Sequence, residues 1–114
     1  MKTTKVLGVK GEVLAKNYLL KHGYEIIEIN YKNKIGEIDI IAKQGKTLVF
    51  VEVKARSSKS FGLPREAVNI YKQRKIRQVA TAYLIKNNLY EKCNIRFDVI
   101  DVLGDEVAHI PNAF

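Results

Sequence analysis

The sequence has a single cysteine, Cys93, and no apolar stretch of the roughly 18 residues that a membrane-spanning helix needs. One cysteine cannot form an intrachain disulfide, which excludes the disulfide-stapled scaffold typical of small secreted proteins. No apolar run follows Met1–Lys5, as one would in a signal peptide. We therefore expect a cytoplasmic protein that does not associate with membranes.

Motifs of several enzyme classes are also missing from the sequence. It contains no Ser/His/Asp set, no glycine-rich phosphate-binding loop and no zinc-ligand spacing. We interpret the two isolated histidines, His22 and His109, as surface residues. We find no repeat, low-complexity segment or linker, so we expect one domain over residues 1–114.

Positive charge is what the sequence has in excess. Twenty Lys and Arg residues stand against 12 Asp and Glu, which gives a net charge of +8 and a pI of about 9.6. Such an excess on a small domain favours a polyanionic partner, either nucleic acid or an anionic membrane surface. The alternative is a folded protein that is basic without such a partner.

Apolar periodicity and turn residues predict two helices and four or five strands. The predicted elements are a helix from Thr4 to about His22, strands over Tyr24–Lys32, Ile35–Lys43 and Thr47–Arg56, a helix capped by Asn69 and running to about Asn88, a strand over Asn94–Val102 and a short edge strand over Glu106–Ile110. The apolar stripe of the second helix comprises Ile76, Val79, Ala80, Tyr83 and Leu84. This order predicts an α/β fold in which helices flank a mixed central sheet. Gly8 and Gly11 weaken the first helix, but they would let it approach a neighbouring element closely.

Charged residues recur on one face of the second and third predicted strands. Side chains alternate between the two faces of a strand, and an even-length turn at Gln44–Gly45 would set Glu37 opposite Glu52 and Asp39 opposite Phe50. The shared face would then carry Ile35, Glu37, Asp39, Ile41, Leu48, Phe50, Glu52 and Lys54, and the other face Ile38, Ile40, Ala42, Val49, Val51 and Val53. The end of the first face that lies away from the turn is thus charged, whereas the second face is apolar.

This charged end is where we expect chemistry. Three carboxylates held close together repel one another unless a cation lies among them, and oxygen ligands alone suit Mg²⁺ or Mn²⁺. Lys54, two residues beyond Glu52 on the same face, could hold a phosphate oxygen or an attacking water. The alternative is a set of ion pairs at a sheet edge, in which Lys54 pairs with Glu52 and Glu37.

The same residues resemble a known nuclease signature. Asp39, then 12 residues, then Glu52-Val53-Lys54 resembles the D…ExK signature of the PD-(D/E)XK, restriction-endonuclease-like superfamily, with Ile38 at the proline position of the name. Further motifs resemble the bacterial YraN-like family across nearly the whole chain: Gly11-Glu12-x-x-Ala15, Gly36-Glu37-Ile38-Asp39-Ile40-Ile41-Ala42, Phe50-Val51-Glu52-Val53-Lys54-x-Arg56, Phe61-Gly62-x-Pro64-x-Glu66-Ala67-Val68 and Arg96-Phe97-Asp98-Val99.

The resemblance implies an αβββαβ core and metal-dependent phosphodiester cleavage. Asp39 and Glu52 would bind the metal, and Lys54 would activate water or stabilise charge. Glu12 would complete the catalytic and metal-binding set, as in the Holliday-junction-resolvase branch. The helical neighbours of Glu12 are mainly small or apolar, so it is expected to face the sheet, although a surface pair with Lys16 is the alternative. We assign Glu37 a supporting position beside these ligands, or a place among them.

Basic residues near the second helix are the candidates for nucleic-acid binding. A helix N-terminus with adjacent cations is a ready phosphate site, although charge runs are often solvated helix faces. The candidates are Arg56, Lys59, Arg65, Lys72, Gln73, Arg74 and Lys75. The polar loop Ser57–Leu63 could close on substrate, and Tyr31, Phe61 and Tyr71 could stack on bases.

We therefore expect an Mg²⁺- or Mn²⁺-dependent endonuclease, with DNA, including branched or recombining DNA, as its substrate by analogy alone. The first alternative is a nucleic-acid-binding module that keeps the fold without useful catalysis, and the second is a subunit of a DNA-processing complex. A resolvase-like role would also favour a two-fold dimer.

Overall fold

The computed structural model describes residues 4–57 and 68–114, with side chains from residue 8 onward. The elements are α1 (Thr4–Lys21), β1 (Glu25–Lys32), β2 (Glu37–Gln44), β3 (Thr47–Arg56), α2 (Ile70–Lys86), β4 (Asn94–Leu103) and β5 (Glu106–Ile110). The strands form one sheet in the order β1-β2-β3-β4-β5. Among the strands of the described residues, only β3 and β4 run parallel, and the other neighbours pair antiparallel. The expected α/β fold with a mixed sheet is confirmed, and the bounds of the elements differ from those predicted by at most two residues.

The register between β2 and β3 differs from the predicted one. Ile41, rather than Asp39, lies opposite Phe50, and Gln44 pairs with Thr47. The connecting loop is therefore Gly45–Lys46, one residue later than predicted. Gly45 has a φ of 59°, which glycine adopts without steric cost, so Gln44 can remain in the strand. The resulting shift of two residues keeps most side chains on their predicted faces.

The two helices cover opposite faces of the sheet. Ala15 and Leu19 of α1 pack with Ile40, Val49 and Val51. The predicted stripe of α2 is buried as expected, and it packs with Phe50, Phe97 and Val99 on the other face. Asn69 caps α2 through its side-chain oxygen, which accepts from the N–H of Lys72. Neither helix is long and apolar enough, over its described residues, to cross a membrane.

Alternation along β2 breaks at Asp39. Ile38 was predicted to share a face with Ile40, but it packs in the core against α2, together with Ile41. Beyond Ile40 and Val51 the register between β2 and β3 stops, although both strands continue. β2 therefore changes course at this point, and the gap that opens between the two strands forms a fork.

Gly11 sets the distance between α1 and the sheet. A Cβ on Gly11 would lie 2.6 Å from the Cβ of Ala55 in β3, which is closer than real Cβ atoms approach. At Gly8 an added Cβ would meet no described atom within 4 Å. The close approach anticipated from the two glycines therefore holds for Gly11 alone, and it brings the adjacent Glu12 toward the end of β3.

Candidate active site

Asp39 lies in the fork between β2 and β3. Its Oδ2 accepts a 2.8 Å hydrogen bond from the backbone N–H of Val53. Burial, followed by the charge of Glu52, raises the pKa of Asp39 to about 7, and the Val53 bond opposes this shift only in part. A carboxyl group with this pKa is the kind found at functional sites more often than elsewhere.

Glu52 is buried next to Asp39 and is paired with a lysine of α2. Only 6% of Glu52 is exposed, and Nζ of Lys72 lies 2.5 Å from its Oε1. Burial would lower the pKa of Lys72, but the hydrogen bond and charge of Glu52 outweigh it and raise that pKa. Lys72 was assigned to nucleic-acid binding from the sequence. The structure pairs it with Glu52, a proposed metal ligand, and its role in nucleic-acid binding stays a prediction.

Lys54 lies beside Glu52 and Lys72. Burial, and then the charge of Lys72, lower the pKa of Lys54, whereas the charge of Glu52 acts in the opposite direction. Lys54 does not form the alternative ion pairs with Glu52 and Glu37 at the sheet edge. Glu52 is bridged to Lys72, and Glu37 lies 3.6 Å from Lys32 at the surface.

Glu12 reaches the same site from α1. It lines a cavity with Asp39 and Glu52, and its charge contributes to the raised pKa of Asp39. The side-chain N–H of Asn30 donates to Glu12 over 3.4 Å. Asn30 has a φ of 53° within β1, a left-handed conformation that asparagine tolerates better than most residues. Glu12 thus faces the sheet as expected, rather than pairing with Lys16 at the surface.

Two cavities meet at Asp39 and Glu52. The first, of about 420 Å³, extends toward α1 and the end of β3 and is lined by Gly8, Glu12, Asp39, Glu52, Val53, Lys54, Ala55, Arg56 and Lys72. The second, also of about 420 Å³, extends toward α2 and is lined by Gly36, Glu37, Asp39, Glu52, Asn69, Tyr71, Lys72, Lys75 and Ile76. Asp39, Glu52 and Lys72 line both, so concave surface continues on two sides of the carboxylates.

Arg56 is held at the rim of the first cavity by an aspartate that the sequence analysis missed. Its Nε and Nη2 donate to the two carboxylate oxygens of Asp101 at 3.1 and 2.9 Å. Asp101 is 3% exposed and lies in β4, beside Lys54 in the parallel register. Arg56, assigned to nucleic-acid binding, therefore has a buried partner that fixes its orientation.

The remaining candidates for nucleic-acid binding differ in their surroundings. Lys59 and Arg65 lie outside the described residues, as do Phe61 and most of the loop Ser57–Leu63. Arg74 and Lys75 are exposed on α2. The side chain of Gln73 donates to the carbonyl of Val68 at 3.1 Å, which gives it a structural contact before the helix.

The two described aromatic candidates for base stacking, Tyr31 and Tyr71, differ in their exposure. Tyr31 packs edge-on against Tyr83 in the core, with ring centroids 5.0 Å apart. Tyr71 is 70% exposed and lines the second cavity. Of these tyrosines, Tyr71 is the one positioned for contact with a ligand.

A second buried polar cluster lies on the α1 face of β4. Asp98 is fully buried and accepts from Nε and Nη2 of Arg96 at 2.8 and 2.7 Å and from the Asn112 N–H at 2.9 Å. Nε2 of His109 lies 2.7 Å from its Oδ2. The side chain of His109 is 9% exposed, so the surface position predicted for it is wrong. The signal that could have revealed the cluster is an aspartate inside the apolar strand that follows Arg96.

Comparison with known proteins identifies the family. Residues 11–102 match the family described as Uncharacterised protein family UPF0102. The chain belongs to UPF0102. It is 55% identical over 106 residues to a UPF0102 protein of Clostridioides difficile, covering 91% of this chain and 92% of that protein. A UPF0102 protein of Alkaliphilus oremlandii is 50% identical over 115 residues, covering 96% and 98%. The resemblance to the YraN-like family is thereby confirmed.

The carboxylates of this UPF0102 chain fit a metal ion in part. Asp39 and Glu52 supply oxygen donors, and burial followed by the charge of Glu52 raises the pKa of Asp39, as expected where two carboxyl groups lie together. Among the residues that the structure describes, however, no three acidic, histidine or cysteine side chains converge closely enough to hold a metal. The fit is therefore to an ion held by two carboxylates, with Glu12 near but not in place as a third ligand.

Proposed function

We propose that this UPF0102 chain is a divalent-metal-dependent endonuclease that hydrolyses phosphodiester bonds in DNA. The observation that carries the proposal is the pair of carboxyl groups in the fork, the half-buried Asp39 and the buried Glu52, with Lys54 next to them. A carboxyl group with a raised pKa, such as Asp39, beside a lysine in a cavity is found at catalytic sites more often than elsewhere.

The proposal includes a restriction-endonuclease-like core. Its support is the order of helix, three antiparallel strands, helix and parallel strand, in which α2 connects β3 to β4. A second support is the position of the resemblance motif: Asp39 is on β2, and Glu52 and Lys54 are on the next strand of the sheet. Membership of the PD-(D/E)XK superfamily is part of the proposal.

Each residue has a distinct proposed role. Asp39 and Glu52 would hold Mg²⁺ or Mn²⁺, and Glu12, which is near them but not in place as a ligand, would have to move toward them to complete the set. When bound, the ion polarises the phosphodiester and makes a nearby water more acidic. Lys54 places positive charge next to the negative charge that develops in the transition state. Glu37 lines the second cavity and pairs with Lys32, and we give it a supporting position rather than a place among the metal ligands.

The two cavities suggest how the substrate lies. Because concave surface continues on both sides of the carboxylates, a nucleic-acid strand can extend past the reacting phosphate in both directions. Lys75 and Tyr71 line one side, where a cation can contact phosphate and an exposed ring can stack on a base. This arrangement favours internal cleavage, and the net charge of +8 favours binding to the backbone.

The proposal is tested by cleavage of labelled single-stranded, duplex, flap and four-way-junction DNA with Mg²⁺ or Mn²⁺. Glu52→Gln keeps the size of the side chain but removes its charge, and we expect cutting to fall by at least about a hundredfold. Glu106→Gln, at an exposed position of the edge strand β5, is the matched control and should cut normally. Cutting that survives both EDTA and Glu52→Gln would overturn the assignment.

A second candidate is a nucleic-acid-binding module, or a subunit of a DNA-processing complex, that does not cut by itself. The bridge between Lys72 and Glu52 favours it, because a lysine already neutralises one of the two carboxylates. Binding of the same DNA substrates without cutting, whichever metal is added, would select this candidate. Cutting that appears only with a partner protein would select the subunit.

A further inference from the structure

We infer that Lys72 is an internal counter-ion that a divalent metal must displace from Glu52 before the site can bind that metal. The inference rests on the proposed function, and it gives Lys72 a role that neither its charge nor its sequence position indicates. Its ammonium would control entry of the metal, and its release would couple metal binding to the binding of nucleic acid.

Geometry supports competition at Glu52. Nζ of Lys72 lies 2.5 Å from Oε1, a charge-assisted hydrogen bond at short range. Glu52 is 6% exposed, so water screens little of the repulsion between two cations brought to the same carboxylate. A divalent ion on Glu52 would lie within a few ångströms of the ammonium, and it therefore cannot bind strongly while Lys72 remains.

The helix fixes the backbone of Lys72 while leaving its side chain a path away from Glu52. The N–H of Lys72 donates to the cap oxygen of Asn69 at 2.9 Å, which anchors the first turn of α2. The side chain itself is 42% exposed and lines both cavities. Rotation of its flexible stem can therefore carry the ammonium from Glu52 into the second cavity, beside Lys75.

Displacement would change what the second cavity offers to a ligand. With Lys72 on Glu52, its charge is taken up by a carboxylate. After displacement, the cavity gains a cation next to Lys75 and Tyr71, where a phosphate of the substrate can bind. Metal and polyanion should then each strengthen the binding of the other by the same factor, because such coupling is reciprocal.

The experiment measures Mn²⁺ affinity by isothermal titration calorimetry in the full chain without nucleic acid. Removing a charge-assisted competitor should change the binding constant by a factor of about 10 to 100. We expect Lys72→Met to bind Mn²⁺ at least about tenfold more tightly than wild type. Lys86→Met, at the far end of α2, removes the same charge and controls for long-range electrostatics. It should change the affinity by less than about threefold.

Two further variants keep the test decisive if Lys72→Met folds poorly. Lys72→Gln should also tighten Mn²⁺ binding, whereas Lys72→Arg, which retains a cation, should not. In the wild type, a ¹³C-labelled lysine ε-carbon signal assigned to Lys72 should shift when Mg²⁺ is added. That shift should be absent in Glu52→Gln.

The outcomes separate this inference from the proposed function. Mn²⁺ binding that is equal in wild type, Lys72→Met and Lys72→Gln would overturn the role of Lys72 and leave the metal site intact. Weaker binding in the two neutral variants would also overturn it, because Lys72 would then support the metal instead of competing with it. Absence of Mn²⁺ binding in every variant would overturn both this inference and the metal-dependent nuclease.

Discussion

The backbone N–H of Val53 donates to the carboxylate of Asp39, so that a side chain takes the place of a strand carbonyl where β2 leaves β3. This bond fixes one carboxylate oxygen in the fork. Burial and the charge of Glu52 raise the pKa of the same group to about 7. Asp39 therefore joins the two strands, and its own carboxyl becomes charged only near neutral pH.

Asp39→Asn should stabilise the protein at alkaline pH in EDTA. The unfolded carboxyl titrates near 3.8 and the folded one near 7, so its contribution to stability is fully present below about pH 4 and is lost as the pH rises through 7. Asparagine stays neutral and still offers an oxygen to Val53. We expect its free energy of unfolding to exceed that of wild type by about 1 kcal/mol or more at pH 8. Urea denaturation of both proteins at pH 4 and pH 8 measures this difference in the free energy of unfolding. A difference that does not change with pH would contradict the raised pKa of Asp39.

Asp101→Ala should destabilise the protein far more than Asp105→Ala. Asp101 is buried and binds Arg56 through both oxygens, so its removal leaves a half-buried guanidinium without that partner. We expect a loss of about 3 kcal/mol in the free energy of unfolding. Asp105 also forms an ion pair, with Lys10, but it is 82% exposed, and its loss should cost under about 1 kcal/mol. Thermal and urea unfolding compare the two variants, and equal losses would be inconsistent with this account.

Asp98→Asn should weaken the fold in a manner that depends on pH. Burial alone would raise the pKa of Asp98, but hydrogen bonds from His109, Arg96 and the Asn112 backbone outweigh burial and hold it below its ordinary value of 3.8. The contribution of ionised Asp98 to the stability of the fold is thus present above about pH 4 and is lost as the pH falls through the pKa of Asp98 in the folded protein. We expect a loss of about 2–4 kcal/mol at pH 7 that shrinks below pH 4. A loss of the same size in urea titrations at pH 7 and pH 3 would contradict this prediction.

Gly11→Ala and Gly8→Ala should act in opposite directions. A methyl group on Gly11 would meet Ala55 at 2.6 Å, so α1 must move away from β3 at a cost of about 1–3 kcal/mol. On Gly8 the methyl group meets no described atom within 4 Å, and the higher helix propensity of alanine should stabilise the protein by about 0.5–1 kcal/mol. Melting temperatures of the two variants provide the measurement. Stabilisation by Gly11→Ala would show that the close contact is unimportant.

Local patterns were sufficient to predict the elements of the fold. The helical spacing of Ile76, Val79 and Tyr83 identifies the buried face of α2, and Asn69 occupies the predicted cap. The register of the hairpin was missed because the choice between Gln44–Gly45 and Gly45–Lys46 depends on which residue adopts positive φ. Moving the loop by one residue shifts the strand pairing by two residues, which leaves each side chain on the same face, so alternation along the strands does not distinguish the two loops.

The contacts of the site could be predicted only in part. Glu52 and Lys54 share a strand, so their proximity follows from side-chain alternation. The bridge from Lys72 to Glu52 depends on how α2 packs over the sheet, and the pairing of Arg56 with Asp101 depends on a parallel neighbour 45 residues away. Sequence spacing contains no information on either distance. The sequence therefore revealed the charge of Lys72 but not its pairing with Glu52.

The continuation of the cavities on both sides of Asp39 and Glu52 has a consequence for the topology of the substrate. A strand that passes through the site, rather than ending in it, needs no free 5′ or 3′ terminus. Under the proposed function, we expect a covalently closed single-stranded circle to be cut as readily as its linear form. The linear product released from the circle should first appear at full length, and gel electrophoresis resolves it from the circle.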